Sequence, residues 1–263
     1  MSSKPVKIIQ ISDLHLFANT DGELLGVKTQ KSFEAVLDFV RKEPMDLIIL
    51  TGDMTQDGSA TSYLRLANMI SSLNVPVYFL PGNHDNPIAL EQVYPHNMIT
   101  NNRHVLLKKW QIILLSSQIP GRVEGHLDES QFRYMKRQIE ENPSLYTIVM
   151  FHHQPVPVGC AWLDNLGVKN ADEFWDKVTQ FPQVQNVIFG HVHQEFETIY
   201  RNIHCYSAPS TCIQFKRNQD AFGLENLPPG FRWIHLYDDG HLETGVRRVE
   251  EYVGVFDEMA KGY

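Results

Sequence analysis

The chain has few cysteines and no long apolar segment, and both shortages limit what it can be. Its 263 residues include only 3 cysteines, and none stands in a C-x-x-C spacing, which argues against a disulfide framework and against a thiolate metal site. No apolar run approaches the roughly 20 residues that a helix needs to span a bilayer. The N-terminus lacks the pattern of a signal peptide. We therefore expect a cytoplasmic protein with no membrane partner.

Positive charge is also scarce. The formal net charge is −8 at pH 7, with 23 lysines and arginines against 31 aspartates and glutamates. The chain as a whole therefore has no electrostatic attraction for nucleic acid, although local cations could still attract a small phosphate-bearing substrate. Histidine, in contrast, is plentiful: there are 12, and half of them fall in a few short blocks.

Apolar runs alternate with helical periodicity over the first three quarters of the chain. The runs that predict buried strands are KIIQIS, DLIILTGD, VPVYFL, QIILLSS, LYTIVMFHH and NVIFGHVH. Helices are predicted over TQKSFEAVLDFVRKEP, residues 60–73, LDESQFRYMKRQIEEN and residues 171–179. The third of these begins with Asp128 as a candidate N-cap and has Gln131 at capping-box spacing. The alternation predicts an α/β protein with two packed sheets and helices outside.

The pattern changes to antiparallel β structure after residue 195. ETIYRNIHCYSAP predicts a hairpin with Arg201 and Asn202 near its turn. RWIHLYDDGHLETGVRRV predicts a second hairpin, with Asp239 and Gly240 as a candidate type I′ turn. No internal repeat or linker is present. We predict one domain over residues 1–263, to which residues 195–263 contribute mainly antiparallel β structure.

Five polar blocks each follow an apolar strand, and they are SDLH, TGD, GNHD, FHHQP and GHVH. Each block alone has an ordinary explanation, because Gly-Asp is a common turn and a single histidine is usually a hydrogen-bonded structural residue. In open α/β sheets, however, ligands bind outside the carboxyl ends of the strands. Five such blocks at five strand ends therefore favour a converging active site. The candidate residues are Asp13, His15, Asp53, Asn83, His84, Asp85, His152, His191 and His193.

The donor atoms of these blocks indicate a metal site. Carboxylate, imidazole and amide donors without sulfur suit Fe, Mn, Zn or Co. Seven ligands are too many for one ion and suit two ions about 3.5–4 Å apart, an arrangement that recurs in phosphoester cleavage. Two aspartates against two divalent ions leave excess positive charge for a phosphate. His152 and His153 are neighbours that point to opposite sides of an extended chain, which favours a structural role for His153.

In this order the blocks resemble those of the calcineurin-like metallophosphoesterases, over most of the chain. The resemblance implies a four-layer α/β/β/α sandwich of two mixed β-sheets flanked by helices. It implies a first metal held by Asp13, His15 and His193, a second held by Asn83, His152 and His191, and Asp53 as the bridge. It also implies that His84 is catalytic, with Asp85 as its partner, and that the substrate contacts His15, Asp53, Asn83, His84 and His193.

Segments outside these blocks are similar to the bacterial class III cyclic nucleotide phosphodiesterases, namely LFANTDGELLGVKT, GCAWLDNLGVKNADEF, APSTCIQFK and PPGFRW. This closer resemblance implies hydrolysis of 3′,5′-cyclic AMP to 5′-AMP by a hydroxide that bridges two divalent metal ions, Fe²⁺ foremost and Mn²⁺ in one or both sites. It leaves open a monomer or a homodimer. Two alternatives remain: a broader phosphodiesterase for 2′,3′-cyclic nucleotides or glycerophosphodiesters, and a non-catalytic binding protein on the same fold.

The resemblance also suggests how individual residues act. His84 would contact the phosphate and protonate the leaving ribose oxygen, while Asp85 fixes the tautomer of its ring. Thr211, Gln214 and Phe215 could wall a base pocket, although Phe215 could equally belong to the core. The histidines outside the blocks are expected to have surface or structural roles, with His126 and His204 as the leading exceptions.

Overall fold

The computed structural model describes residues 4–250, 254–257 and 259–262. Each of the six apolar runs of the sequence contains all or most of a strand, and most side chains of these six strands are buried on both faces. The strands are β1 (Val6–Ile11), β2 (Glu23–Leu24), β3 (Val27–Lys28), β4 (Leu47–Thr51), β5 (Val77–Leu80), β6 (Ile99–Thr100), β7 (His104–Leu107), β8 (Trp110–Leu114), β9 (Tyr146–Met150), β10 (Val184–Phe189), β11 (Phe196–Tyr200), β12 (Ile203–Ser207), β13 (Gln214–Phe215), β14 (Leu224–Glu225), β15 (Gly230–Leu236) and β16 (Leu242–Arg248).

The helices lie between the strands and bury one apolar face each. They are α1 (Thr29–Val40), α2 (Ala60–Ser71), α3 (Pro87–Val93), α4 (Glu129–Glu141), α5 (Ala161–Asp164) and α6 (Ala171–Val178). Helix α4 begins as predicted, because the Asp128 carboxylate accepts hydrogen bonds from the backbone N–H groups of Ser130 and Gln131. The side chain of Gln131 instead accepts from the backbone N–H of Ser116 at 3.0 Å and so ties the helix to the end of β8.

Two six-stranded mixed sheets form the body of the molecule. The first has the order β16-β15-β1-β4-β5-β6, and the second has the order β11-β12-β10-β9-β8-β7. Strands β1, β4, β5 and β6 run parallel, as do β8, β9, β10 and β12, whereas β15, β16, β7 and β11 join antiparallel. The segment after residue 195 therefore completes both sheets, and it adds β12 to the second sheet as a parallel strand.

Alternation of side chains along the strands produces the four layers. On β1, Ile8 packs between the two sheets, while Ile9 and Ile11 pack under the helices of the first sheet. On β9, Ile148 faces the other sheet, and Val149 packs under the helices of the second. The three resulting apolar clusters fill the spaces between successive layers of an α/β/β/α sandwich. This arrangement confirms the expected fold class.

The two sheets are linked by hydrogen bonds beneath the loops that follow their central strands. The side-chain amide of Gln10 on β1 donates to the carbonyl of Phe189 on β10 at 2.9 Å and to the hydroxyl of Thr51 at 3.0 Å. Nδ1 of His152 donates to the carbonyl of Thr51 at 2.7 Å. These bonds bring the carboxyl ends of β1 and β4 against those of β9 and β10.

Both predicted hairpins are present, but one turn differs from the prediction. Strands β11 and β12 are joined by Arg201 and Asn202, which have φ angles of 47° and 64°, as a type I′ turn requires. The type I′ turn predicted at Asp239 and Gly240 is wrong: β15 and β16 are joined by a longer loop in which only Gly240 has a positive φ, 91°. The extra residues let the backbone N–H of Tyr237 bond to the carbonyl of His241 at 3.0 Å.

Candidate metal centre

The candidate ligands lie on loops at the carboxyl ends of five strands, and their backbone is unusual. Asp13, His15, Asp53, His191 and His193 have φ angles of 56°, 50°, 48°, 67° and 48°. Left-handed backbone is unfavourable for residues with a Cβ and persists where the surrounding structure imposes it. Five such residues in one cluster indicate that the fold holds these side chains in place despite unfavourable backbone angles.

A first group of side chains gathers Asp13, His15 and His193. Their ligand atoms lie within 4.8 Å of one another, and all three side chains are buried. Nε2 of His193 is 3.5 Å from Oδ1 of Asp13, and it is 3.2 Å from Nε2 of His15. The loops after β1 and β10 therefore bring together the three residues that the sequence predicts for one metal.

A second group lies beside it and shares Asp53. Nε2 of His152 is 3.2 Å from Oδ1 of Asn83 and 3.2 Å from Oδ2 of Asp53. The same Oδ2 is 3.9 Å from Nε2 of His15 in the first group. His191 joins this group through a ring contact with His152 at 5.1 Å. Asp53 thus stands between the two groups, where a bridging carboxylate would have to be.

Hydrogen bonds at the outer ring nitrogens orient the imidazoles. Nδ1 of His152 donates to the carbonyl of Thr51, and Nδ1 of His193 donates to the carbonyl of Ile213 at 2.9 Å. Nδ1 of His15 is 2.6 Å from the amide oxygen of Gln56. Because these oxygens can only accept, Nδ1 carries a proton in each ring, and Nε2 is the nitrogen that faces the centre. This is the arrangement that metal-binding histidines adopt.

The polar atoms of the centre need a cation. The lone pairs on Nε2 of His15 and His193 face each other at 3.2 Å, which is repulsive unless a positive charge lies beside them. Oδ2 of Asp13 and Nε2 of His191 are buried, and neither has a hydrogen-bond partner among the residues that the structure describes. Buried acceptors are normally paired. Carboxylate, imidazole and amide donors together fit divalent Fe, Mn, Zn or Co.

The electrostatics of the site lower the pKa values of Asp53 and His15 and raise that of His152. Burial raises the pKa of Asp53, but the neighbouring His152 and His84 outweigh this and hold it well below its usual value. Burial lowers the pKa of His15 to about 3, against the opposing effect of Asp53. Burial also lowers the pKa of His152, and the Asp53 and Asp13 carboxylates overcome this and raise it to about 9. An anionic Asp53 beside a neutral His15 can bind a cation, and a cation bound beside His152 would displace the proton from that ring.

His84 and Asp85 occupy different parts of the site. The His84 ring is half-buried and meets the His15 ring at 5.0 Å, and its backbone N–H donates to Oδ1 of Asp53 at 2.9 Å. Asp85 is buried, and burial followed by the nearby Asp53 charge raises its pKa to about 7. Its carboxylate accepts from four donors: the backbone N–H groups of Met54, Thr55 and Gly82, and the hydroxyl of Tyr63.

His153 is buried next to the ligands and both of its ring nitrogens have protein partners. Nδ1 is 2.8 Å from the hydroxyl of Ser117, and Nε2 donates to the carbonyl of Val123 at 2.9 Å. The ring packs against those of His191 at 4.6 Å and His152 at 4.9 Å. Through these contacts His153 connects the loop after β8 to two candidate ligand histidines.

The other residues that the sequence suggested for the site are either buried or exposed at the surface. Thr211, Gln214 and Phe215 are buried. His126 is exposed, and His204 is exposed on β12, near the amino end of that strand. The residues that sequence reasoning missed are Gln56, Tyr63 and Ser117, which orient ligands or their loops. No motif marks them, since hydrogen bonds across 22 to 41 residues leave no local pattern.

The fold and this cluster define a class of protein. The family model for calcineurin-like phosphoesterases matches residues 6–195. The chain therefore belongs to the calcineurin-like phosphoesterase family. Its His/Asp cluster implies a dimetal site.

Particular relatives match over almost the whole length. The chain is 39% identical over 266 residues to the 3′,5′-cyclic adenosine monophosphate phosphodiesterase CpdA of Vibrio vulnificus, with 100% of this chain and 97% of that protein covered. It is 38% identical over 261 residues to the enzyme of the same name from Escherichia coli K12, covering 98% and 95%. It is also 36% identical over 248 residues to a 3′,5′-cyclic-nucleotide phosphodiesterase of Nostoc, covering 93% of each.

Solved structures with low sequence identity share the fold. A dimetal phosphatase from Danio rerio superimposes with a TM-score of 0.65 at 12% identity, covering 94% of this chain and 100% of that one. GAP50, an anchor in the inner membrane complex of Plasmodium, superimposes with a TM-score of 0.62 at 13% identity, covering 98% and 90%. In the part of the chain that the structure describes, no helix has the length and apolar character needed to cross a membrane.

Proposed function

We propose that the chain is a phosphodiesterase that hydrolyses 3′,5′-cyclic AMP to 5′-AMP. The observation that carries this proposal is the complete set of seven candidate ligands in one buried centre, within a chain that is 38–39% identical over its length to cyclic AMP phosphodiesterases. Five of these residues keep left-handed backbone, which persists only where the surrounding structure imposes it.

We assign one cation to Asp13, His15 and His193, and a second to Asn83, His152 and His191, with Asp53 shared. Two divalent ions, Fe²⁺ foremost and Mn²⁺ in one or both sites, would supply Lewis-acid polarisation of the phosphate and activation of a water nucleophile. The protein supplies the orientation: carbonyl and amide oxygens hold three of the four ligand imidazoles by Nδ1. The substrate phosphate would then contact the faces of His15, Asp53, Asn83 and His193 that point into the centre.

His84 is placed to act on the substrate itself. Its half-buried ring stands beside that of His15, and its backbone N–H is fixed by Asp53. An imidazole there can donate a hydrogen bond to the phosphate and a proton to the ribose 3′ oxygen as the bond from phosphorus breaks. Asp85, held by the backbone of both neighbouring loops, keeps the segment that carries His84 in position.

We further propose that residues 1–263 form one metallophosphoesterase domain, because the segment after residue 195 supplies strands to both sheets. We place the protein in the cytoplasm, where its three buried thiols remain reduced. Its partner is a small cyclic nucleotide, and we expect it to act as a monomer or a homodimer without nucleic acid or membrane.

The test is a substrate panel with purified protein loaded with iron or with manganese. The panel contains 3′,5′-cyclic AMP, 3′,5′-cyclic GMP, 2′,3′-cyclic AMP, glycerophosphocholine and bis(p-nitrophenyl) phosphate, and products are separated by chromatography. We expect 5′-AMP from 3′,5′-cyclic AMP at a higher kcat/KM than any other substrate. The matched control is Asp53→Asn protein treated in the same way, which should release no 5′-AMP.

Two results would count against the proposal in different ways. Hydrolysis of the artificial diester or of 2′,3′-cyclic AMP in preference to 3′,5′-cyclic AMP would keep the dimetal chemistry and assign a broader phosphodiesterase. Protein that binds both metals and cleaves nothing in the panel would instead point to a binding protein on the same fold.

A further inference from the structure

Three aromatic residues form a cluster beside the metal centre. Phe215, on β13, stacks on the ring of His193 with centroids 4.2 Å apart and planes inclined by 13°. Trp162 and Phe222 meet Phe215 at 5.1 Å and 5.6 Å, and they meet each other at 5.2 Å. We name Trp162, Phe215 and Phe222 the aromatic cluster. A single intervening ring thus connects both Trp162 and Phe222 to a candidate ligand.

The cluster is fixed to the rim of the site by backbone contacts. The backbone N–H of Phe215 lies 3.4 Å from the carbonyl of His193, to which it donates. The carbonyl of Lys216 accepts from the side-chain amide of Gln194 at 3.3 Å and from the thiol of Cys160 at 3.4 Å. These contacts join the β13–β14 hairpin to the loop that carries His193.

The three rings differ in how much of their surface is exposed to a ligand. Phe215 is fully buried, and one face of its ring is occupied by His193. Trp162 and Phe222 are only half-buried. Flat aromatic surface that stays partly open next to a phosphate-binding centre suits the one part of a cyclic nucleotide that is flat and apolar, the base.

The indole of Trp162 supplies a second observation. Its Nε1 is buried and has no hydrogen-bond partner among the described residues. The corresponding atoms of Trp110 and Trp175 donate to backbone carbonyls at 2.7 Å and 2.9 Å. A buried donor without an acceptor is unusual and is often explained by function. Because this N–H is enclosed, a base stacked on the Trp162 ring would not reach it; within the described part of the chain, the ring lacks the hydrogen bond that fixes Trp110 and Trp175 in place.

We propose that Trp162 and Phe222 form the subsite that receives the nucleobase, with Phe215 packed between them and His193. The inference rests on the proposed function, and it goes further by naming the residues that distinguish a nucleotide from other phosphodiesters. Stacking depends on an aromatic face that every base possesses. The subsite therefore selects for a base, with little distinction between adenine and guanine.

The experiment measures binding, so that it does not depend on turnover. Manganese-loaded protein is titrated calorimetrically with 5′-AMP, 5′-GMP and ribose 5-phosphate, for the wild type and for Phe222→Leu, which keeps an apolar side chain but removes the ring. We expect the Kd for 5′-AMP and for 5′-GMP to rise about tenfold in Phe222→Leu. The Kd for ribose 5-phosphate should stay unchanged, because it has no base.

Two further variants control for packing. Phe181→Leu removes a half-buried ring from the same apolar cluster of the second sheet, but at the amino end of β10, opposite the metal centre. It should bind 5′-AMP as the wild type does. Phe222→Tyr keeps the ring and should also retain wild-type affinity, which shows that the loss in Phe222→Leu comes from the aromatic face.

The outcomes separate this inference from the proposed function. Equal affinity of the wild type for 5′-AMP and ribose 5-phosphate overturns the subsite, and so does an equal loss for both ligands in Phe222→Leu. Wild-type protein that binds 5′-AMP through Phe222 but does not cleave 3′,5′-cyclic AMP supports the subsite and rejects the proposed substrate. Cleavage of 3′,5′-cyclic AMP with unchanged 5′-AMP binding in Phe222→Leu supports the function and rejects the subsite.

Discussion

The hydroxyl of Tyr63 donates a hydrogen bond of 3.0 Å to the carboxylate of Asp85, and the same hydroxyl accepts one of 2.8 Å from the backbone N–H of Asn86. Asp85 in turn accepts from the backbone of Met54, directly after Asp53, and of Gly82, directly before Asn83. A tyrosine on α2 thus connects the loops that bring two candidate ligands to the metal centre.

We predict that Tyr63→Phe lowers both the stability and the metal affinity of the protein. Loss of the hydroxyl leaves the buried Asp85 carboxylate and the Asn86 N–H each one partner short, which should reduce the free energy of unfolding by about 1–3 kcal/mol. Urea unfolding and metal titration measure the two effects. Tyr94→Phe is the matched control, because its hydroxyl bonds to the carbonyl of Tyr63 and not to Asp85. Unchanged metal affinity in Tyr63→Phe would show that this hydroxyl does not help to position the two ligand-bearing loops.

Asp53→Asn should leave the protein folded but depleted of metal. Oδ2 of Asp53 lies 3.2 Å from Nε2 of His152 and 3.9 Å from Nε2 of His15, so one neutralised carboxylate weakens both sites. Metal content measured by mass spectrometry should fall well below two ions per chain. The control is Asp57→Asn, whose carboxylate accepts from Ala18 and Ser59 away from the centre. A fully metallated Asp53→Asn protein would contradict the bridging role.

His84→Ala should reduce turnover of the phosphodiester about a hundredfold while metal content stays at the wild-type level. The ring is half-buried at the open side of the centre, next to His15, and its loss removes a donor to the phosphate without removing a metal ligand. The exposed His126 provides the control variant, His126→Ala. Turnover close to that of the wild type in His84→Ala would show that another group protonates the leaving oxygen.

Gly125→Ala should weaken metal binding, although residue 125 is not a candidate ligand. A Cβ at this position would lie 2.5 Å from atoms of the buried His153 ring, which packs against His152 and His191. The ring must shift, and we expect the second metal to bind at least several-fold more weakly and the protein to unfold at a lower temperature. Glu124→Ala, one residue away, should have neither effect. A Gly125→Ala protein with wild-type metal affinity would show that His153 does not support the ligands.

The three cysteines should not react in the folded protein. All are buried, and burial raises the pKa of the Cys205 thiol to about 12 and that of Cys212 as well. Since the thiolate is the reactive form, Ellman's reagent at pH 8 should find almost no thiol in the native state and 3 in guanidinium chloride. Rapid labelling of the native protein would indicate that one of them becomes accessible.

The local pattern of the sequence was sufficient for most of the fold. The buried strand β4 is an almost continuous apolar run, and α4 has its N-cap at Asp128, because periodicity and capping act over a few residues. The order of the polar blocks likewise pointed to a dimetal centre in the calcineurin-like family. Turn geometry at Asp239 and Gly240 was mispredicted because a longer loop satisfied its backbone hydrogen bonds differently.

Only the tertiary structure decided how the ligands are held. The bonds from His15 to Gln56, from Asp85 to Tyr63 and from His153 to Ser117 join residues 22 to 41 positions apart, so no local motif contains them. The cluster that we assign to the base arises in the same way, since Trp162 and Phe215 come from segments far apart in the chain. The sequence by itself determined which residues could bind metal. Packing of the two sheets determined which atoms face the centre and which side chains orient them.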